Sequence, residues 1–482
     1  VSPASYRAAS GSDLTVNVSP LGLVELSDEE FEVHGPRLNR YSTNWAHYLG
    51  HQFGYQREAG ESFVTVNYLR ALADYTNNFV FGRGVTFATE KKETEGIVPY
   101  LLKRIWELDN ERDRLLWEIG LNGAVTGDSF VKVAYDPPYQ DPAGGFHAGR
   151  VRILPLHSAH CFPEWHPHDR SRLLRFKQKY RFWGTTPEGT RQVFTYTEII
   201  TDQQIEEYIN DELIDSRQNF LGQIPIVHIP NMAVPGTPWG LADIQDIIPI
   251  ARIYNEIATS VLDIINYHAA PVTVITGARA SQLEKGPRKI WGGLPKDARV
   301  FNLEMGGNLN APIVYMEQLK RNMHELTGVP EAALGQMQPI SNTSGVALSI
   351  QYQPLMNRRH QKLVQYSRGL ERINELALRT LFLHEPHMIE FDPILAGGIE
   401  LKPGQLPIVH PQDPDTYRTK CVWPDPLPLD KLVKLEEIQR EMALGLQSKR
   451  GALRELGYDQ PDLQMAEIFE EQIEDLKEEA AR

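Results

Sequence analysis

The densest group of side chains able to hold a metal is His157, His160, Cys161, His166, His168 and Asp169. Imidazole and thiolate are the usual zinc ligands, and structural zinc sites space them in short paired intervals. Only one cysteine takes part here, and the intervals fit no such pattern. A polar loop between two strands accounts for the same residues, so no metal or cofactor is expected. A second group, Arg358, Arg359, His360 and Lys362 with Arg368 and Arg372 beyond, has the charge to meet phosphates. Glu371 and Glu375 lie near enough along a helix to pair with it, which reads instead as a solvated face. No GxxxxGK[ST] loop, HExxH or GxSxG motif occurs. Gly82 and Gly84 form a GxG with no third glycine or helix at nucleotide-binding spacing, which is a turn. No catalytic residue is expected.

Composition narrows the class further. A chain of 482 residues is long enough for more than one core. Hydrophobic residues make up 41% and charged residues 23%, as in a folded domain. No apolar run approaches the roughly 18–20 residues needed to span a bilayer. No basic stretch leading into an apolar run opens the chain, so no signal peptide is expected. Cys161 and Cys421 supply neither a disulfide framework nor a paired metal knuckle. The net charge of −14 argues against tight wrapping of nucleic acid, whose affinity comes from Lys and Arg displacing counterions.

The elements that carry these residues change character along the chain. Residues 1–37 show no clear period until Leu21 and read as an arm. Leu38–Gly50, Val66–Asn78 and residues 96–126 are helical in pattern. After Gly127 the period becomes two, and Asp128–Asn210 reads as a β-rich unit, followed by a buried strand in Phe220–Asn231. A helix over Leu241–Tyr267, roughly 40 Å long, carries Ile244, Ile248, Tyr254, Ile257, Val261 and Ile265 in one wide apolar stripe. Pro249 is expected to kink it. That stripe suits a core and a subunit interface equally. The insert 266–312 is Gly-rich and carries Arg279, Lys285, Arg288, Lys289, Lys296 and Arg299 against three acids, a positive island in an acidic chain. Residues 426–482 form an acidic helical tail.

Between two helices lies Gly328–Leu348, GVPEAALGQMQPISNTSGVAL, nearly free of charge. The first helix presents Met316, Leu319, Met323 and Leu326 on one face and stops at Gly328 and Pro330. The second begins near Thr343-Ser344, runs to about His384, and is expected to break at Pro354. A long uncharged loop between strong helices is either a connector or a loop with a task.

The order of these pieces resembles the portal protein of tailed double-stranded DNA bacteriophages. GQIPIVHIPN at Gly222–Asn231 before WGLADIQDIIPIARIYNEI, LTGVPEAALG at Leu326–Gly335, NTSGVALSIQYQPL at Asn342–Leu355 and the C-terminal helices carry the resemblance. Each motif is weak alone; their order and spacing make the match, over at least residues 40–470. The resemblance implies an α+β, multidomain portal fold. Residues 1–240 would form a wing with a β-rich unit at 128–231, and 241–265 a stem helix. Residues 266–312 would be the clip and 313–327 the second stem helix. Residues 328–343 would be the tunnel loop, 344–410 the returning wing with a long kinked helix, and 411–482 a helical crown. It implies a non-enzymatic ring of about twelve subunits at one capsid vertex, with each stem helix burying two different flanks. Double-stranded DNA would pass through during packaging and ejection. The expected partners are the major capsid protein, the scaffolding protein, the large terminase and the head-tail adaptor proteins, with no membrane. The expected location is the virion, after assembly in the host cytoplasm. Gln336, Met337, Gln338, Pro339, Ile340, Ser341 and Asn342 would face DNA, and their lack of charge suits a surface that must not hold phosphates. Lys285, Arg288, Lys289, Lys296 and Arg299 would bind partners at the clip. Two other classes remain open from residues alone: a nucleic-acid-processing enzyme with a metal site invisible as a motif, and a monomeric scaffold.

Overall fold

The structure is a computed structural model. It describes residues 7–8, 14–18, 22–53, 63–89, 97–142, 144–186, 189–269, 273–276, 297, 299–302, 310–334, 345–386, 413–426, 431–456, 465 and 468–469. The chain divides into two compact units. The first is Val1–Phe81, Arg112–Ala134 and Ile153–Ile373; the second is Gly82–Glu111, Tyr135–Arg152 and Asn374–Arg482. Helices and strands are mixed throughout, as an α+β chain requires.

In chain order, strands β1 (Arg7–Ala8), β2 (Leu14–Val18) and β3 (Gly22–Leu26) precede helices α1 (Asp28–Tyr48) and α2 (Tyr68–Phe81). Strand β4 (Thr86–Thr89), helix α3 (Ile97–Lys103), a π-helical turn over Arg104–Asp109 and helix α4 (Arg112–Thr126) follow. Next come β5 (Asp128–Asp136), β6 (Tyr139–Gln140), β7 (Phe146–His147), β8 (Arg150–Leu156), β9 (Cys161–His166) and β10 (Asp169–Thr185). Strands β11 (Arg191–Ile200), β12 (Gln204–Ile209), β13 (Glu212–Gln218) and β14 (Ile226–Pro230) lead into α5 (Ile248–Ala269). Then come β15 (Thr273–Thr276), β16 (Arg299–Asn302), α6 (Asn310–Thr327) and α7 (Gly345–His384). Strand β17 (Thr419–Val422) and helices α8 (Lys431–Ala443) and α9 (Lys449–Glu455) follow.

The change of period after Gly127 is borne out. An antiparallel five-stranded sheet runs in the order β13-β12-β11-β10-β9, and β14 pairs with β5 beside β8. Tyr180 meets Tyr196 at a tilt and Phe182 stacks on Phe194, cross-strand aromatic pairs that favour the β10–β11 register. Strand β13 escapes a reading by period because every one of its residues is exposed. Helix α1 starts earlier than its apolar pattern. Ser27 caps it, accepting from Glu30 N at 3.3 Å while Glu30 Oε2 accepts from Ser27 N at 3.0 Å.

Three departures concern the long helices. Leu241 does not begin α5; a 3-10 turn at Gln245–Ile247 leads into a helix starting at Ile248, so Pro249 lies in the first turn and kinks nothing. A proline there forfeits only an N–H that has no intrahelical acceptor. Helix α7 continues through Pro354 instead of breaking. Helix α6 starts at Asn310, three residues before its expected start. The principal core of the first unit gathers Trp45, Tyr48, Leu69, Leu72, Val125, Ile244, Ile247, Ala251, Met323, Val329 and Leu355.

In the second unit β17 pairs antiparallel with β4. Trp106 is buried and donates from its indole N–H to Asn374 Oδ1 at 2.8 Å. The short strands expected in HMIEF and QLPIVH lie outside the described residues.

Candidate assembly surface and its buried anchor

The tunnel-loop residues Gln336, Met337, Gln338, Pro339, Ile340, Ser341 and Asn342 lie outside the described residues, as do Lys285, Arg288, Lys289 and Lys296. Arg299 is exposed on the first position of β16. The structure does show what holds the helices on either side of residues 335–344. Helix α6 ends because Gly328 takes a left-handed conformation, φ 71°, that a side chain would resist. Thr327 Oγ1 donates to the carbonyl of Met323 at 2.9 Å, and His324 Nδ1 lies 2.9 Å from the carbonyl of Val329. Met323 and Val329 then enter the core beside Leu355 of α7.

Of the expected stem stripe, Ile244 is fully buried in the chain's own core, and Ile248 and Tyr254 pack against that core. Ile257 and Val261 are half-buried, while Ile265 is 49% exposed. The stripe therefore divides along its length: its beginning is core, its end open surface. More apolar surface appears beside that stripe and on α6. Ile253 on α5 and Ile313, Val314 and Tyr315 on α6 are exposed, Val314 by 60%. Leu319 and Met323 are buried as expected of α6, but Leu326 is 51% exposed. The signal available in sequence was the run Ile313-Val314-Tyr315, whose three consecutive apolar residues cannot all face inward on a helix.

The basic run on α7 is neither a solvated face nor, for its central members, free to meet DNA. Lys362 is 2% exposed and donates to Asp243 Oδ2 in a short ion pair. Burial pushes its ammonium below the usual lysine range, a shift that the Asp243 charge opposes. Arg359 is buried and donates from Nε to the carbonyl of Phe79 at 3.2 Å. Arg358 donates from Nη1 to the carbonyl of Leu326 at 2.9 Å, and its Nη2 lies 3.6 Å from Asp243 Oδ1. Arg372 donates to Gln223 Oε1 at 2.9 Å. Only His360 and Arg368 of the group are exposed. Asp243 also accepts from Asn231 Nδ2 at 3.1 Å, and Asn231 Oδ1 accepts from the Tyr366 hydroxyl at 3.0 Å. Arg358, Lys362 and Tyr366 recur every fourth residue, so one face of α7 meets the segment ahead of α5.

A second buried carboxylate stands next to this one. Asp128 accepts from the Tyr41 hydroxyl at 2.5 Å and from the backbone N of Gly240 at 2.9 Å, and His228 Nε2 lies 2.9 Å away. The close approach requires glycines: at Gly127, φ 92°, a Cβ would lie 2.5 Å from the carbonyl oxygen of Gly240. Burial also pushes the Tyr366 hydroxyl above its usual range.

The metal-like group is structural. Cys161 is buried and its thiol donates to the carbonyl of His157 at 3.4 Å. His157 Nδ1 accepts from Ala159 N at 3.2 Å, and its ring lies tilted against Trp45. Burial lowers His157 to about 3 and His160 to about 4. His166 and His168 flank the β9–β10 turn instead. Among the described residues no three His, Cys, Asp or Glu side chains converge as a metal site.

Buried charges staple helices in the first unit, and apolar faces of α5 and α6 stay exposed. The family model for "Phage portal protein, SPP1 Gp6-like" matches residues 34–481, and the chain belongs to that family. Members are structural, non-enzymatic components of virion assembly that form rings. Among solved structures the chain is similar to a subunit in the neck of an empty gene transfer agent particle, at 11% identity and a TM-score of 0.44, over 81% of this chain and 88% of that one. It is also similar to a subunit of the native gene transfer agent virion, at 12% identity and a TM-score of 0.39, with the same coverage of each chain. No curated protein matches. No described helix is long and apolar enough to cross a membrane.

Proposed function

We propose that this chain is the portal subunit of a tailed phage or phage-like particle. About twelve copies form a closed ring at one capsid vertex. The ring is the channel for double-stranded DNA during packaging and ejection, and the platform on which the large terminase and later the head-tail adaptor proteins dock. The match to the portal family along almost the whole chain carries this reading. The first unit adds physical support. A ring built from heterologous contacts needs two flanks per subunit, and α5 and α6 keep Ile253, Ile265, Ile313, Val314 and Tyr315 on the outside of the monomer. In this reading α5 and α6 are the stem, 266–312 the clip, 328–343 the tunnel loop and 411–482 the crown. Lys285, Arg288, Lys289, Lys296 and Arg299 meet the motor or adaptor, and Gln336–Asn342 face the DNA. The major capsid protein and scaffolding protein meet the ring at the vertex.

Native mass spectrometry and negative-stain imaging of the purified protein test the reading. Rings with a central hole are expected; a monomer that never closes into rings overturns it. Should rings form, complementation of a portal-null phage with this chain reads out DNA packaging directly.

A further inference from the structure

The four residues gathered around Asp243 do not play equal parts. Lys362 is wholly enclosed and committed to one carboxylate oxygen. Asn231 and Tyr366 satisfy the remainder of the pocket. Arg358 ties α7 to the end of α6 as well as to the segment ahead of α5. One guanidinium nitrogen takes the carbonyl of Leu326, in the last turn of α6, at 2.9 Å; another lies 3.6 Å from Asp243, just ahead of α5. A free carbonyl in the last turn is where a helix concentrates its partial negative charge, so a cation there is favoured twice, by the hydrogen bond and by the dipole. Among the described residues the two contacts of Arg358 that leave its helix are both made by the nitrogens at the tip of the guanidinium.

We propose that Arg358 is a positioning residue that couples the end of α6 and the head of α5 to α7, so that the three helices shift together. The inference deepens the portal reading: it names the connection through which displacement of the helix pair would reach the long helix. The geometry asks for arginine specifically. A planar fork serves a carbonyl and a carboxylate at once, whereas a lysine ammonium at the same position reaches one or the other. The pair Lys362–Asp243 anchors α7 whether or not Arg358 is present, so loss of the fork loosens the last turn of α6, which Met323 still ties to the core, without unfolding it.

Hydrogen exchange on the full chain tests this, with Arg358→Gln, Arg358→Lys and Lys362→Met beside the wild type. For R358Q, exchange in the last turn of α6, 323–328, should accelerate at least about tenfold, while α2 and the five-stranded sheet keep their wild-type rates. R358K should fail to restore protection, although it restores the charge. K362M should accelerate exchange throughout the first unit. Unchanged protection at 323–328 in R358Q, a uniform acceleration across the unit, or full rescue by R358K each overturns the proposal. A complementation arm separates it from the portal reading. If the wild-type chain supports packaging and R358Q lowers yield at least about tenfold with rings intact, coupling matters to the channel. If the wild-type chain itself forms no rings, the portal reading fails while the exchange result still decides the role of Arg358.

Discussion

Two regions of the first unit invert the usual distribution of residues. Beneath α7, a lysine, an aspartate and most of an arginine are buried; on α5 and α6, isoleucine, valine and tyrosine face outward. The buried charges are costly to desolvate and survive only because each finds a partner, so they fix which segments meet. The exposed apolar faces gain nothing within the monomer and become favourable only on contact with another surface. The first region holds segments of the first unit together. The second keeps it from being complete alone.

The contrast can be broken from the buried side first. Lys362→Met leaves one oxygen of the enclosed Asp243 without its close cation, with Asn231 and Arg358 remaining at the other, and should destabilise the fold by about 3–5 kcal/mol in a urea titration. Adding Asp243→Leu should recover most of that loss, because the cost is an uncompensated charge and not a lost bond. Ile244→Ala belongs to the same interior and should cost about 2–5 kcal/mol; a negligible effect would return Ile244 to the interface stripe. Gly127→Ala forces a side chain into a left-handed backbone and against Gly240, with an expected loss of about 2 kcal/mol or more.

Acid should act on the interior before it acts on the surface. His157 and His160 are held neutral by burial, at about 3 and about 4, below their value in the unfolded chain. Their contribution is complete above about pH 6.5 and is lost progressively as pH falls toward the folded values, because the unfolded chain takes up the protons first. The urea midpoint should therefore fall between pH 6.5 and 5, where carboxylates scarcely titrate. His157→Phe should flatten that slope by about 1 kcal/mol per pH unit. A slope unchanged by the substitution would place the pH sensitivity elsewhere. Glu30 follows at lower pH. Burial alone would raise it, but Lys177 and the Ser27 backbone hold it below its usual range, so its stabilisation is lost only as pH falls through that depressed value.

The smallest effect on folding should come from the outward face. Val314→Glu should change monomer stability by no more than about 0.5 kcal/mol. Its consequence should appear in native mass spectra, as loss of rings. Rings that persist would mean that α6 does not carry the subunit contact, and that its apolar residues meet something else.

Periodicity located most elements. The strands β5, β8, β10, β11 and β12 and the long span of α7 follow from period two or period 3.6. It failed where period carries no information: at the fully exposed β13, at the Ser27 cap that starts α1 ahead of its apolar pattern, and at the proline that opens α5. The candidate site was legible only in outline. Apolar α5 was visible, but which part is core depends on what packs there, and Ile244 and Ile265 look alike in sequence. Lys362 looked like surface because its partner Asp243 lies more than a hundred residues away.

The amino-acid sequence by itself determined the acidic balance, the order of helical and strand segments, the uncharged run between α6 and α7, and the absence of recognised catalytic motifs. These are properties of composition and local spacing. Tertiary structure alone decided that a basic helix face is an internal staple, that a cluster of histidines and a cysteine is packing, and that one stripe of isoleucines begins as core and ends as open surface. The physical reason is the same in each case. Whether a charge is paired or an apolar side chain covered depends on neighbours brought from distant parts of the chain, and one-dimensional spacing does not record them.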